Sequence, residues 1–135
     1  MKKETDMDRY ERAALAVNIK TSGRGNCAQA VAAALADRTA LAEDTLRNMT
    51  AGFCAGMGTM DATCGALISA GMIAGAATNG QGTLRCARAM LERFRELSGA
   101  VTCRDLKTGA GGRPLCPCED CVKNAVLAYC EIMNI

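Results

Sequence analysis

"CGALISAGMIAGAA", residues 64–77, runs for 14 positions without a charge and decides the fold class. Nothing in it alternates polar with apolar, so it reads as a buried helix, started by Asp61 or Thr63 and stopped at Asn79-Gly80. Gly71 and Gly75 fall on one face with Ala74 nearby, which predicts close approach of a neighbouring backbone there. A helix that is apolar around most of its girth belongs at the centre of a fold. It is too short and too rich in glycine to cross a bilayer.

The flanking stretches supply the helices to surround it. "TLRCARAMLERFRELSG", residues 83–99, sets Ala87, Met90, Leu91, Phe94 and Leu97 on one stripe, and Gly99 ends it. "CEDCVKNAVLAYCEIMN", residues 118–134, buries Val122, Val126, Tyr129 and Met133. Upstream, Met7, Tyr10, Ala14 and Val17 predict an amphipathic helix from about Asp6 to Lys20. Asn26 caps a second helix, "CAQAVAAALAD", and Leu46, Met49 and Phe53 suggest a third beginning near Leu41. "AGFCAGMGTMD" is a glycine-rich turn, "TCRDL" a short turn, and "KTGAGGRPLCP" a loop; Gly109, Gly111 and Gly112 lack the strand and the Gly-Lys-Ser/Thr of a phosphate loop. The expectation is a single all-α domain over residues 1–135, five to six short helices around a Gly/Ala-rich central one.

Composition narrows the function classes. Half the chain is hydrophobic but only 3% is aromatic, so the core must be built from Ala, Leu, Val, Ile and Met. With so few aromatic residues to seal the outer faces, a second copy of the chain is expected to cover part of the apolar surface, as a two-fold homodimer with Ala- and Met-rich contacts. A net charge of +2 offers no footprint for nucleic acid. The N-terminal "MKKETDMDRYERA" has acids and arginines where a secretion signal needs an apolar run, so no membrane association is expected and the chain is read as cytoplasmic.

A cytoplasmic setting keeps thiols reduced, and nine cysteines cannot all pair within one chain. The absence of histidine excludes mixed Cys/His zinc sites, the C-x-x-C-H haem signature and every Cys-His nucleophile. Any metal must be held mainly by sulfur. Cys27, Cys64 and Cys118 fall at predicted helix starts, and Cys103 opens "CRDL" in the same way. Free N–H donors and a partial positive charge at such starts lower a thiol's pKa, which suits ligation and thiol exchange equally. Cys121 lies one turn beyond Cys118 at C-x-x-C spacing, also suited to either chemistry. Cys86 and Cys130 sit beside apolar stripes and read as core filling; Cys54 and Cys116 are unassigned.

The segments "NCAQAV", "GFCAGMG…CGALISAG", "CRDL" and "CEDCVKNAV" follow the order and approximate spacing of the C_GCAxxG_C_C family, and the resemblance runs from about Gly25 to the C-terminus. It implies a small helical protein suspected of redox activity, related to a domain of split-Soret cytochromes in which an iron–sulfur centre accompanies the haems. The family's cysteines would map onto Cys27, Cys64, Cys103 and Cys118, with the fourth position open between Cys118 and Cys121. Ser69 stands where a glycine is expected, glycines are common around the position of Cys54, and Cys116, Cys121 and Cys130 are additional.

Residues and resemblance together favour a cysteine-ligated iron–sulfur centre, most simply [2Fe–2S], serving electron transfer with a separate redox partner. A cofactor-free thiol–disulfide oxidoreductase using Cys118 and Cys121 is the alternative, and a structural or sensing zinc domain with four cysteine ligands is the third reading.

Overall fold

The computed structural model describes residues 7–135, with seven α-helices among them and no strand. They are α1 (Arg9–Thr21), α2 (Cys27–Ala34), α3 (Glu43–Thr50), α4 (Gly65–Thr78), α5 (Thr83–Ser98), α6 (Cys103–Lys107) and α7 (Cys118–Met133). The all-α expectation holds. The seventh helix is α6, the "TCRDL" segment read as a turn. Asp6, the expected first residue of α1, lies outside the described residues.

Local chemistry sets most boundaries. Asp8 caps α1 and Asn26 caps α2, each in a reciprocal capping box, with Glu11 and Gln29 respectively. Asn79 closes α4 and Gly99 closes α5, both in the left-handed conformation. The start of α4 differs from expectation: Cys64 itself is the N-cap, while Asp61 instead holds Arg104 at 2.8 Å.

α4 packs against α2, α5 and α7, and α7 packs against α1, α2, α4 and α5, so the two share the centre. Tyr129, Phe94, Leu35, Ile73, Met90 and Leu106 are the largest fully buried side chains, and alanines make up much of the remaining core. Each large apolar group contributes about 1.5–3 kcal/mol on burial. The Tyr129 hydroxyl keeps a partner, accepting from Arg38 Nε at 3.5 Å.

Three packing expectations are corrected. The inner face of α1 is Arg12, Ala13, Ala16 and Ile19, whereas Tyr10 is 70% exposed and Ala14 also faces out. A buried arginine hid this stripe: Arg12 makes a two-pronged ion pair with Asp37 and also donates to the Ala34 carbonyl. In α3, which begins at Glu43 and not near Leu41, the buried residues are Leu46 and Thr50, and Met49 is exposed. The close backbone approach occurs at Gly65, not at Gly71 or Gly75. A Cβ on Gly65 would lie 2.2 Å from the Phe53 carbonyl oxygen, while one on Gly71 would meet nothing within 4 Å.

Candidate thiol site at the helix starts

Four helices begin on cysteine. Cys27, Cys103 and Cys118 are the first residues of α2, α6 and α7, and Cys64 caps α4. Three local devices draw these starts together. The first is an isolated antiparallel bridge between Thr63 and Thr102. The Cys64 N–H donates to the Val101 carbonyl at 2.7 Å, and the Cys103 N–H to the Ala62 carbonyl at 3.0 Å, so α4 and α6 start side by side.

The second device fixes the turn carrying Cys54. Asn26 Nδ2 donates to the Ala51 carbonyl at 3.2 Å, and Gly65 lets α4 press on the Phe53 backbone. This brings Cys54 Sγ to 3.8 Å from Cys27 Sγ. Gly56 in the same turn leaves no room for a side chain, since a Cβ would come within 2.8 Å of the Cys103 Cβ. The third device is the loop before α7. The Cys116 N–H donates to the Leu106 carbonyl at 3.0 Å, and the Cys121 thiol donates to the Cys116 carbonyl at 3.4 Å.

The thiols gathered here have divergent acidities. Cys64 is lowered to about 6, first by its hydrogen-bonding interaction with Cys121, while the Ala66 and Leu67 amides and Lys107 add to the effect against the opposing cost of burial. Cys121 is raised correspondingly, first by its hydrogen bond to Cys64 and then by burial. Burial, with the nearby charges of Cys54 and Cys64, pushes Cys27 up to about 12. Burial also raises Cys103, partly offset by Lys107. Lys107 is half-buried among the sulfurs, its Nζ 3.9 Å from Cys121 Sγ. Burial alone would lower its pKa, but a hydrogen bond to Cys118 and the charges of Cys121, Cys118 and Cys64 hold it above its ordinary value.

The expected residues Cys27, Cys64, Cys103, Cys118 and Cys121 therefore share one electrostatic neighbourhood. Among the described residues, which include all nine cysteines, no three Cys, Asp or Glu side chains stand where one metal ion could be held. Cys27 and Cys54 meet instead as a pair at 3.8 Å, and Cys64 and Cys121 are linked through their acidities. Two thiolates on one tetrahedral metal lie about 3.8 Å apart when each metal–sulfur bond is about 2.3 Å. The Cys27–Cys54 spacing matches that edge, and an all-sulfur donor set with amides and a lysine around it suits a sulfur-held, multi-metal group.

Cys130 lies apart, fully buried with Arg12, Arg9 and Arg38 as its charged neighbours, and Cys86 is half-buried against the core, in keeping with packing roles. Two site residues escaped the sequence reading. Lys107 follows Cys103 at the i,i+4 spacing that puts both on one helix side, a signal that a longer "CRDL" helix would have supplied. Cys54 had no signal beyond its glycine neighbours.

A family model described as "Putative redox-active protein (C_GCAxxG_C_C)" matches residues 25–132. Comparison with curated proteins and with solved structures gave no match. The chain belongs to the C_GCAxxG_C_C family of redox-active proteins.

Proposed function

We propose that this chain is an electron-transfer protein whose working centre is a cysteine-ligated iron–sulfur group, in simplest form [2Fe–2S]. Cys27, Cys64, Cys103 and Cys118 would hold it, with Cys121 as the alternative fourth ligand. The observation that carries this reading is that four separate helices begin on these cysteines, two of them stapled together by the Thr63–Thr102 bridge. When bound, such a group supplies one-electron exchange at a potential tuned by charge, hydrogen bonds to sulfur and exposure. The chain's own residues provide all three. The Ala66 and Leu67 amides favour negative charge on the Cys64 sulfur, Lys107 balances thiolate charge, and burial of Cys27, Cys64, Cys103 and Cys121 limits water.

A second reading rests on the Cys64–Cys121 hydrogen bond. A thiolate at Cys64 with a protonated thiol beside it is the arrangement of a dithiol–disulfide couple, without any cofactor. This differs from the Cys118–Cys121 couple suggested by spacing, since the partner of Cys121 is here Cys64. Zinc held by four thiolates is the third outcome of the same experiment. Protein purified without oxygen is assayed for iron, sulfide and zinc beside its visible spectrum. Visible charge-transfer bands with iron and sulfide support the first reading. A metal-free dithiol replaces it with the second, and a colourless zinc protein with the third. The setting that fits these thiols is the reducing cytosol, with a separate redox protein as partner and a second copy of the chain as neighbour. No described helix is long and apolar enough to cross a membrane.

A further inference from the structure

We propose that Cys27 and Cys54 form a reactive dithiol that closes to a disulfide by exchange with a small-molecule disulfide, Cys54 attacking and Cys27 resolving. The couple joins one helix-start cysteine, Cys27, to a cysteine outside that set, because Cys54 lies in the glycine-rich turn between α3 and α4. Its geometry is local. The two sulfurs are 3.8 Å apart, and the backbone leading into Cys54 is pinned, at Ala51 by Asn26 and at Phe53 by the close packing of Gly65. Exposure assigns the roles. Cys54 is half-buried and the more accessible of the two, whereas Cys27 is only 8% exposed.

Closing the pair brings the sulfurs from 3.8 Å to the disulfide length of about 2.05 Å. The turn after Cys54 holds Ala55, Met57 and Met60 at φ of 54°, 59° and 67°, left-handed values that cost a non-glycine residue about 1–2 kcal/mol each. Such a segment resists a small rearrangement weakly. The chemistry balances with glutathione disulfide as the probe. The Cys54 thiolate attacks one of its sulfurs, that S–S bond breaks, and one glutathione thiolate leaves. Cys27 gives its proton to solvent and attacks the Cys54 sulfur, expelling the second glutathione, which takes up a proton. Two chain thiols are oxidised and one disulfide is reduced to two thiols.

One consequence rests on the iron–sulfur reading: closure withdraws Cys27 from the thiolates available to the cluster. Cys54 would then be a redox gate on the site.

The test begins with reduced, metal-free protein treated with glutathione disulfide, alkylated, and digested without reductant. Cleavage at Asp61 as well as at Arg47 is needed to separate Cys54 from Cys64. The expected product is a Cys27–Cys54 cross-linked peptide, with Cys54→Ser retaining one more free thiol than the parent and Cys27→Ser holding glutathione stably on Cys54. Both thiols staying free, or Cys27 linking to Cys64, overturns the couple. In a separate arm, iron-loaded protein is treated in the same way. Loss of iron from the parent but not from Cys54→Ser supports the gate, and equal retention overturns it. Failure of the parent to take up iron at all overturns the iron–sulfur reading and leaves the cross-linking result to decide the couple.

Discussion

Cys64 is the residue whose acidity depends most on a single neighbour. Its thiol is lowered to about 6 chiefly by its interaction with Cys121. In reduced, metal-free protein the ultraviolet thiolate absorbance is expected to show a step near pH 6 that disappears in Cys64→Ala. In Cys121→Ala the same step should move up toward the ordinary thiol value of about 8.5. A step unmoved by Cys121→Ala would assign the effect to the helix-start amides alone. Asp37 obeys the opposite kind of partner. The Arg12 guanidinium holds its carboxyl below the usual carboxylate range, so this pair stabilises the fold above the unfolded pKa of about 3.9 and is lost as pH falls through the lower folded value. Asp37→Asn leaves Arg12 buried without its counter-charge and should cost about 3 kcal/mol at pH 7, measured by urea unfolding. The gap to the parent should narrow as pH falls through the lowered folded value of Asp37, where the parent loses the pair too; a constant gap would show that charge is not its source. Ser69 is the simplest case. Its hydroxyl is fully buried without a hydrogen-bond partner, so Ser69→Ala should raise stability by about 1 kcal/mol, and a loss of that size would reveal a partner.

At the scale of elements, the sequence was legible wherever one residue type has one physical use. Asn26, Asn79 and Gly99 do at the helix ends what their chemistry dictates, and the cysteines at four helix starts are where the pattern put them. What could not be read was pairing across the chain. The inner face of α1 contains Arg12, and no periodicity argument accepts an arginine in a core unless Asp37, 25 residues away, is known to meet it. The Cys27–Cys54 contact was hidden for the same reason, since it depends on Asn26 reaching Ala51. Glycine shows the contrast most directly. Gly71 reads as a close-packing site and is not one, while Gly65 is, because α4 begins against the Phe53 carbonyl. Gly71→Ala should therefore stabilise the protein by about 1 kcal/mol through helix propensity. Gly65→Ala drives a methyl into fixed backbone and should cost about 3 kcal/mol, also weakening Cys27–Cys54 cross-linking by shifting the turn. Thermal unfolding of both variants in parallel checks the pair, and opposite signs are the required result.

At the scale of the whole molecule, the apolar character of α4 is not fully absorbed by its own chain. α2, α5 and α7 cover the side bearing Ala66, Leu67, Ala70 and Ile73, but Ile68, Gly71 and Met72 remain only half-buried. Beside them α5 carries Ala87 and Leu91, also half-buried, and Leu84, which is 85% exposed. Ile68, Gly71, Ala87 and Leu91 line one shallow apolar groove between α4 and α5, with Thr63 at its edge. Thr63 immediately precedes Cys64, so whatever covers this groove also closes the approach to the thiol site from that side. A leucine left in water forgoes about 1.5–3 kcal/mol that burial would return. A second copy of the chain, placed by a two-fold axis, would meet this surface with an identical one and would need about 800 Å² per partner to form a stable pair. Sedimentation at micromolar concentration is expected to give twice the 14.1 kDa chain mass, with Leu84→Glu reducing it to the single mass while leaving the helical content unchanged. A parent protein that sediments as a monomer, or a Leu84→Glu variant that remains paired, would place the dimer contact elsewhere or remove it, and the thiol site would then lie open along the α4–α5 groove.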